Sequence, residues 1–363
     1  MSAAVQRVSN LISLSTSHLA LNPAVTASLL YILTSGPASL RTRLTSRIAP
    51  LRDPRRHATI IRALKWLLAL GVVRSLNRSL NRLALNNYRL RPESARWNWE
   101  QEVAVVTGGS SGIGALIVQK LVNHGVKVAV LDIQELPTSL QGYANIHFHA
   151  CDITSTAAVT SAATAIKQSL GRSPSILINN AGILDAHSIL ATTDAYLRKL
   201  FDVNVLSNWS TVRAFLPDMI ALNKGHVVTV ASAASYVGVA GMADYTASKA
   251  AVLAFHEGLN QELRLAYKAP GVLTTSVHPG WVRTPLLAPV EAELKKRGAV
   301  MSEPGDVADA VVKQVLSASG AQVFVPSSGG RISLLRALPN WVQESVRGRV
   351  SQTITESVNV GGM

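Results

Sequence analysis

A glycine-rich turn that directly follows an apolar run constrains the fold of this chain more than any other feature. The run Val103–Val106 is followed by Thr-Gly-Gly-Ser-Ser-Gly-Ile-Gly at residues 107–114. A strand that feeds a glycine-rich turn and then a helix places backbone N–H groups around the pyrophosphate of a dinucleotide. Glycine clusters are mostly plain turns, so this motif alone is weak support for a nucleotide site. The predicted cofactor contacts in the turn are Gly108, Ser110, Ser111, Gly112, Ile113 and Gly114.

A second motif, Tyr245-Thr246-Ala247-Ser248-Lys249, lies well downstream of the first. Its phenol and ammonium groups are four residues apart, which places them on one face of a helix. Most such pairs are only the polar surface of an amphipathic helix. After a dinucleotide site in the same chain, however, the pair predicts an enzyme that transfers a hydride.

Apolar runs alternate with helical patterns throughout the chain after residue 101, as they do in βαβ units. Seven strands are predicted at Val103–Thr107, Lys127–Asp132, Ile146–Ala150, Ile176–Asn179, His226–Ala231, Gly271–Val277 and Gln322–Val325. The helices predicted between them include Ile113–Asn123, Ala157–Leu170, Tyr196–Ala221, Tyr245–Ala266 and Pro304–Ser317. This order predicts an α/β fold of the Rossmann type, a doubly wound seven-stranded parallel sheet.

The net charge of +14 is concentrated in the first 100 residues. That segment has 15 Lys and Arg residues against three acidic residues, so the remainder of the chain is almost neutral. An extension that is both basic and apolar is typical of contact with a membrane surface, because anionic headgroups attract Lys and Arg beside buried segments. We predict a membrane surface as partner and no nucleic acid, since no helix-turn-helix or zinc pattern is present. We also predict no metal site.

Three regions are predicted from these patterns. Residues 1–95 form an apolar, Arg-rich helical extension and linker, residues 96–330 the dinucleotide-binding domain, and residues 331–363 an apolar and basic tail. The linker proper is the Pro- and Trp-containing stretch 92–100.

The extension has the character of a monotopic membrane anchor. Its apolar runs at residues 18–34 and 59–73 are short or interrupted for a bilayer crossing. Arg74, Arg78 and Arg82 then recur every four residues, which predicts an amphipathic helix in the interface plane. Alternatively, these helices pack on the body of the protein or on a second subunit.

Location is predicted from the same extension. The endoplasmic reticulum membrane or a lipid droplet, with the catalytic domain facing the cytosol, is the first choice. A mitochondrion is the second, because the first 52 residues contain no acidic side chain and are rich in Ser, Thr and Arg. The single cysteine, Cys151, excludes an intrachain disulfide and suits a reducing compartment.

Cofactor preference is predicted from the carboxylate that ends the second strand. Asp132 would accept hydrogen bonds from the ribose hydroxyls and repel a 2′-phosphate, which favours NAD over NADP. Position 111 is Ser rather than Arg or Lys, so no cation there awaits a phosphate, although NADP stays possible. Asp152, after the third strand, is predicted to bond the adenine amino group, or alternatively to cap the next helix.

Further motifs carry a family resemblance. They are Asn-Asn-Ala-Gly at 179–182, Ser232 before the Tyr-x3-Lys pair, and Pro-Gly-x3-Thr-Pro at 279–285. With the glycine turn, they resemble the short-chain dehydrogenase/reductase family in order across residues 101–290. The segments 201–206, 214–217, 225–234 and 324–328 are more narrowly similar to the membrane-associated 17-beta-hydroxysteroid and retinol dehydrogenases.

The resemblance implies four catalytic residues. Tyr245 would be the general base in alcohol oxidation and the acid in carbonyl reduction. Lys249 would supply the positive charge that acidifies a phenol whose ordinary pKa is near 10. Ser232 would hydrogen-bond the substrate oxygen. Asn204 would perturb its long helix and hold a water that connects the lysine to solvent.

The resemblance also implies the remaining cofactor contacts. Thr284 would bond the nicotinamide carboxamide and fix the ring face. Tyr245 and Lys249 would contact the cofactor too, and the other residues implied are Asn179, Ala181, Gly182, Pro279, Gly280 and Val282. The two long helices that contain Asn204 and Tyr245 form the dimer face in this family, so a homodimer is expected.

Residues 285–303 fall where the family places a substrate lid. An apolar inner surface is predicted from Leu286, Leu287, Pro289, Val290, Leu294, Val300 and Met301. Such a lid beside a membrane anchor implies a lipophilic substrate: a steroid, a retinoid, or a long-chain alcohol or aldehyde. Two alternatives stay open, an NADPH-dependent reductase of lipid biosynthesis and a catalytically retired NAD-binding membrane scaffold.

Overall fold

Seven parallel strands form the central sheet of this protein. The structure is a computed structural model and describes residues 19–90, 93–352 and 354. The spatial order of the strands is β3-β2-β1-β4-β5-β6-β7. In chain order the strands are β1 Val103–Thr107, β2 Lys127–Asp132, β3 Ile146–Ala150, β4 Ile176–Asn179, β5 Gly225–Val230, β6 Val272–Pro279 and β7 Ala321–Val325. The predicted doubly wound parallel sheet is confirmed, because β1 pairs with β2 on one side and with β4 on the other.

Helices cover both faces of the sheet, which explains why its central strands β1 and β4 read as continuous apolar runs. Val103 and Val105 pack in one buried cluster, whereas Ala104 and Val106 pack in another on the opposite face. The first cluster is completed from α6 Thr156–Leu170, α8 Ser207–Ala221 and α9 Ala243–Leu265. The second is completed from α5 Gly112–Asn123 and α11 Pro304–Leu316.

The segment predicted as one helix at Tyr196–Ala221 is divided in the structure. It consists of α7 Asp194–Phe201, a π-helical turn at Asp202–Leu206, and α8. Thr193 begins α7, since its hydroxyl accepts a hydrogen bond from the N–H of Tyr196 at 3.2 Å. A π-turn adds one residue to a helical turn, and such turns are frequent at functional sites.

The N-terminal part is helical as predicted. Its helices are α1 Pro23–Thr34, α2 Ala38–Arg47, α3 Ala49–Arg52 and α4 Pro54–Leu85. The apolar run 59–73 and the Arg-faced stretch after it are one continuous helix, α4. No helix among the described residues is both long and apolar enough to cross a bilayer.

The chain separates into two compact units, Met1–Ala84 and Leu85–Met363. Both the predicted linker and the predicted tail belong to the second unit, which also contains α10 Ala288–Lys296 and α12 Asn340–Ser351. Parts of the predicted regions lie outside the described residues, namely 1–18 of the extension with the start of its first apolar run, residue 91 of the extension, residue 92 of the linker, and 353 and 355–363 of the tail.

The segment 86–102, which contains the predicted linker, is fixed along the amino-terminal ends of the strands. Asn86 exchanges two hydrogen bonds with the backbone of Gly320, just before β7, at 2.8 and 3.3 Å. Arg96 donates to the carbonyl groups of Leu222 and Asn223, just before β5, at 3.1 and 3.0 Å. The chain therefore reaches β1 at the amino-terminal ends of the strands, on the side of the sheet away from their carboxyl ends.

A buried carboxylate, Glu102, follows the linker. Glu102 accepts hydrogen bonds from Lys224 Nζ and Ser175 Oγ, each at 2.6 Å, and from the N–H of Asn98 at 3.2 Å. Lys224 also lies 4.8 Å from the ring centroid of Trp97. These contacts connect the linker to the starts of β4 and β5.

We expect Glu102→Ala to lower the free energy of unfolding by about 3 kcal/mol, because it leaves the mostly buried Lys224 without its partner. Urea unfolding of the detergent-solubilised full chain, followed by tryptophan fluorescence, measures the loss. Glu344→Ala, which removes a surface pair with Arg347, is the control and should cost under about 1 kcal/mol. Equal costs for the two variants would contradict the structural role of Glu102.

Candidate active site

Two clefts open side by side at the carboxyl ends of the strands. The first has a volume of about 320 Å³ and the second about 300 Å³. Ile113, Asn180, Gly182, Thr284 and Leu286 line both of them. They lie where the strand order reverses, since β2 and β4 flank β1, and this is where ligands bind in open α/β sheets.

The glycine-rich turn forms one wall of the first cleft. Gly108 and Gly112 have φ values of +63° and +53°, a region that residues with a side chain rarely adopt. A Cβ on Gly114 would lie 2.0 Å from the carbonyl oxygen of Gly108, so only glycine allows α5 to start this close to the turn. Ser111, which precedes α5, makes no capping bond to the helix with its side chain. The first N–H groups of α5 are thus open to an anionic group, and the turn fits a pyrophosphate.

Asp132 is held at the far wall of the first cleft. Its carboxylate accepts hydrogen bonds from the N–H groups of Ser110 at 2.9 Å and Gln134 at 3.0 Å. Ser110 Oγ donates to the carbonyl of Gln134 at 2.9 Å. Ser110 does not line the cleft and serves instead to position Asp132.

Asp152 lines the same cleft and is not a helix cap. Its Oδ1 accepts from the N–H and the hydroxyl of Thr154 at 2.9 and 2.7 Å. The following helix is capped by Ser155, whose Oγ accepts from the N–H of Ala158 at 3.2 Å.

Asn179, implied as a cofactor contact, has its side chain in neither cleft. It is buried under α8, where its Oδ1 accepts a hydrogen bond from Thr211 Oγ1 at 2.9 Å. The neighbouring Asn180 lines both clefts, and its Nδ2 donates to the carbonyls of Thr107 and Gly108, each at 3.1 Å. Successive residues of a strand point to opposite faces, so the sequence pair Asn-Asn left open which side chain holds the turn.

The other predicted contacts lie at the walls of the clefts. Ala181 lines the first cleft, Gly182 and Thr284 line both, and the second is lined by Pro279, Gly280 and Val282. Among the described residues, no group of three His, Cys, Asp or Glu side chains could hold a metal ion.

The second cleft contains the predicted serine, tyrosine and lysine together. Ser232 follows β5, and Tyr245 and Lys249 come from the first turns of α9. The Lys249 Nζ atom lies 5.6 Å from the centroid of the Tyr245 ring and donates to the carbonyl of Val230 at 3.2 Å. All three side chains are buried.

Burial changes the proton affinity of both ionisable groups. It raises the pKa of Tyr245 to about 12, and the hydrogen bond of Ser232 to the phenol acts in the opposite direction. It lowers the pKa of Lys249 to about 8, because a buried ammonium loses its hydration. The phenol is therefore protonated at neutral pH. The lysine is charged at neutral pH and loses its proton as the pH rises through about 8.

Asn204 lies in the π-turn between α7 and α8, so the helix is perturbed where the family resemblance implied. Its side-chain amide accepts from the N–H of Ile183 at 2.8 Å and donates to the carbonyl of Ile183 at 3.0 Å. It also donates to Ser248 Oγ at 3.1 Å, on α9. A Cβ on Gly182 would lie 3.3 Å from Asn204 Oδ1 and 3.5 Å from Lys249 Nζ, so these two polar atoms share one glycine as neighbour.

His278 is a residue of this site that the sequence did not reveal. Its Nδ1 lies 3.1 Å from the carbonyl oxygen of Ser232, and its Nε2 lies 3.1 Å from Ser276 Oγ. A carbonyl only accepts, so Nδ1 carries the proton and Nε2 accepts from the serine hydroxyl. Burial lowers the pKa of His278 to about 4, which keeps the ring neutral. The ring stacks on Phe324 at 4.9 Å between centroids.

The second cleft is apolar away from these groups. Its other walls include Leu184, Val237, Val239, Met242, Trp281, Leu286, Leu287, Ile332 and Val350. Ile332 and Val350 belong to the predicted tail, which therefore completes the cleft rather than leaving the domain.

The structure changes which residues of the predicted lid, 285–303, face inward. It begins with a 3-10 turn at Pro285–Leu287, followed by α10. Val290 and Leu294 are fully buried in the cluster that contains Tyr245 and support the lid from behind. Val300, predicted on the inner surface, is 53% exposed. The side chain of residue 289 lies outside the described part of the chain.

Comparisons with known proteins agree with this site. The family model for short chain dehydrogenases matches residues 102–295. Dehydrogenase RED2 of Cochliobolus heterostrophus is 42% identical over 211 residues, 58% of this chain and 78% of that protein. Estradiol 17-beta-dehydrogenase 11 of Homo sapiens is 33% identical over 257 residues, 69% and 83% of the two chains. Epidermal retinol dehydrogenase 2 of Mus musculus is 36% identical over 196 residues, 52% and 63%.

The chain belongs to the short-chain dehydrogenase family. It is an oxidoreductase that acts on CH–OH groups with an NAD(P) cofactor, and the glycine turn with its uncapped helix start fits that cofactor. The resemblance to the 17-beta-hydroxysteroid and retinol dehydrogenases is confirmed by the relatives.

We expect His278→Leu to lower kcat about tenfold while KM changes little. The leucine fills the space but removes one of the two hydrogen bonds to the Ser232 carbonyl and leaves only the one from the N–H of Ser235, so Ser232 is less well positioned. Steady-state rates of cofactor reduction measure the effect. His226→Leu is the matched control, a buried histidine of β5 bonded to Thr275 rather than to a catalytic residue. Equal losses in both variants would show that the effect is only structural.

Proposed function

We propose that this enzyme interconverts a lipophilic alcohol and its ketone or aldehyde, with NAD as preferred cofactor and Tyr245 as the general acid and base. The observation that carries the proposal is the buried Tyr245–Lys249 pair, which faces an apolar cleft and adjoins the cleft of the glycine turn. A scaffold that only binds NAD has no requirement for a phenol and an ammonium buried together. Burial without function costs stability.

In the reduction direction, the Tyr245 phenol donates its proton to the carbonyl oxygen of the substrate. Ser232 Oγ hydrogen-bonds the same oxygen and stabilises the charge that develops on it. In oxidation, Tyr245 accepts the proton of the alcohol, which requires a lower pKa than burial alone gives. The Lys249 ammonium supplies the positive charge that favours the phenolate. The cofactor, when bound, accepts or supplies the hydride.

Asn204 is proposed to connect Lys249 to solvent. Its Oδ1 and Lys249 Nζ are both neighbours of Gly182, with no hydrogen bond between them, and a water between such groups would complete a proton relay. The bonds of Asn204 to Ile183 and Ser248 hold its amide in place for this role.

The preference for NAD is supported by Asp132. Its carboxylate lines the first cleft and is oriented by two N–H groups. A 2′-phosphate would meet this negative charge, which also disfavours the alternative of an NADPH-dependent reductase in lipid biosynthesis.

The apolar second cleft supports a lipophilic substrate. Hydrophobic and aromatic side chains line it on all sides except at Asn180, Ser232, Tyr245, Thr246, Lys249 and Thr284. The names of two relatives refer to estradiol and to retinol, both lipophilic alcohols. A steroid, a retinoid or a long-chain alcohol fits this chemistry.

Helix α4 supports association with a membrane surface. Exposed apolar side chains recur along one face of it at Trp66, Leu70, Val73, Leu76 and Leu80. Arginines follow the flank of that face at the spacing noted in the sequence, which is the pattern of a helix in the interface plane. We propose the cytosolic face of the endoplasmic reticulum or a lipid droplet as its location, with the mitochondrion second.

A homodimer is proposed through the outer faces of α8 and α9. Leu206, in the π-turn just before α8, and Trp209 on α8 are exposed, and the Trp209 ring lies 4.2 Å from that of Phe255 on α9. Crosslinking in mild detergent tests this face, and a product that stays monomeric would contradict it.

We expect Tyr245→Phe to lower kcat roughly 10²–10⁴-fold, because the variant has no proton to transfer. Reduced-nicotinamide formation measures turnover, and NADH fluorescence titration measures binding, which should change little. Tyr143→Phe, at an exposed tyrosine outside both clefts, is the control. Turnover that survives in Tyr245→Phe would overturn the catalytic assignment.

We expect Asp132→Asn to reduce kcat/KM for NAD about tenfold and to raise the relative use of NADP. The amide keeps the shape of the carboxylate but loses the charge that receives the ribose hydroxyls and repels a 2′-phosphate. Initial rates with both cofactors measure the change. Asp309→Asn, on the outer side of α11, should leave the ratio unchanged. A wild type that already prefers NADP would contradict the NAD proposal.

We expect the rate of carbonyl reduction to fall as the pH rises through about 8, the pKa of Lys249. Below this pH the ammonium keeps the Tyr245 phenol a better acid, and above it the charge is lost. In Lys249→Arg the rate should be lower but without this fall, because a guanidinium stays charged. The pH profile of kcat measures both. The same fall in the arginine variant would exclude Lys249 as its source.

A further inference from the structure

Exposed apolar side chains are gathered on the C-terminal segment that closes the second cleft. This segment, residues 327–352, consists of the 3-10 helix Ser327–Ala337 and α12. Leu334 is 62% exposed and Trp341 is 75% exposed, and Leu338 between them is exposed as well. A tryptophan this exposed is unusual on a water-facing protein surface, because burial of its large ring removes much apolar area from water and is favourable.

The inner side of the same segment belongs to the substrate cleft. Gly329, Ile332 and Val350 line the cleft, and Leu335 is buried beside them. Residues 327–352 therefore separate the cleft from the exposed apolar surface by a single layer of chain.

A loop near the end of α12 exposes apolar side chains as well. Ser351 Oγ accepts a hydrogen bond from the N–H of Ala240 at 3.0 Å, and the N–H of His187 donates to the carbonyl of Gly241 at 3.0 Å. These bonds connect α12 to the loop after β4 through one short turn. That loop exposes Leu190 at 85% together with its neighbour Ile189.

The charge of the segment is positive. Residues 327–352 contain Arg331, Arg336, Arg347 and Arg349 against one acidic residue, Glu344. Arg347 pairs with Glu344, and Arg331 and Arg349 are exposed on the same segment. Exposed Leu and Trp with flanking arginines are complementary to an anionic lipid surface, where the rings and aliphatic groups enter the headgroup region and the arginines meet phosphates.

We propose that residues 327–352 bind an anionic lipid surface at the mouth of the substrate cleft, so that substrate passes between the lipid and the cleft without crossing water. This contact is made by the catalytic unit itself and is additional to the proposed anchoring by α4. The route for substrate rests on the proposed lipophilic substrate. The lipid contact itself does not, because it is measured without turnover.

Site-specific labelling of the full chain tests the contact. The only cysteine, Cys151, is buried, so Trp341→Cys labelled with the fluorophore NBD reports on position 341, and Cys151→Ser removes residual background. With vesicles of phosphatidylcholine and phosphatidylserine, the emission should rise severalfold and be quenched by doxyl-labelled lipid. Label at Lys313→Cys, on the exposed side of α11, is the matched control and should stay accessible to aqueous iodide.

Two results would overturn the proposal. One is a label at position 341 that stays accessible to iodide while the protein sediments with the vesicles, since the chain would then bind lipid elsewhere only. The other is emission that rises with protein concentration in the absence of vesicles, which would assign the surface to a second copy of this chain.

A kinetic test uses Trp341→Glu, whose position does not line the cleft. With substrate incorporated in anionic vesicles, kcat/KM should fall about fivefold, as expected for loss of roughly one favourable interfacial contact. With the same substrate dispersed in detergent micelles, kcat/KM should equal that of the wild type. An equal loss in both media would show damage to the cleft and would contradict the lipid contact. Failure of every substrate would count against the proposed function and leave the labelling result unaffected.

Discussion

Burial of the Lys249 ammonium beside the Tyr245 phenol is the constraint on which the rest of the catalytic unit depends. The ammonium loses its hydrating water, and two contacts replace that water: a hydrogen bond to the Val230 carbonyl and the face of the Tyr245 ring. The phenol loses its water as well, which raises its pKa and leaves Ser232 as its polar neighbour. Desolvation thus shifts the pKa of both groups, upward for the Tyr245 phenol and downward for the Lys249 ammonium.

Several features beyond these side chains maintain this arrangement. Glycine at position 182 leaves room for Asn204 and Lys249 to approach the same point. The π-turn directs the Asn204 amide at Ile183 and Ser248 instead of continuing the helix. His278 bonds the Ser232 carbonyl from the neighbouring strand. The apolar lid and the C-terminal segment then cover the site, which strengthens every electrostatic interaction inside it.

The strands and the glycine turn could be predicted from sequence because both are local. A parallel strand buried on two faces reads as a continuous apolar run, as β1, β2 and β4 do, and these strands match their predicted bounds. The partly exposed edge strand β3 matches its predicted bounds as well. The turn is recognisable because its positive φ values require glycine at Gly108 and Gly112. Tyr245, Lys249 and Ser232 were found through fixed spacing within the family motif. The structure brings those three together in one cleft.

Other features depend on contacts between distant segments, which no local pattern encodes. His278 reads as one more strand residue until β5 and β6 are paired. The roles of Asn179 and Asn180 differ by the face of the strand on which each lies. The tail reads as an appendage because Ile332 and Val350 reach the cleft only after the chain has passed β7. The sequence marked it as apolar and basic, and the structure shows one side in the cleft and the other at the surface.

The most direct test of hydride transfer to NAD uses alcohols that carry deuterium on the carbinol carbon. The purified protein would be given NAD and a panel of deuterated secondary steroid alcohols, retinol and long-chain alcohols, and the nicotinamide would be analysed by mass spectrometry. One substrate class should yield reduced cofactor that contains one deuterium, with a slower rate than for the unlabelled alcohol. Bound NAD that gains no deuterium from any member of the panel would contradict the proposed reaction.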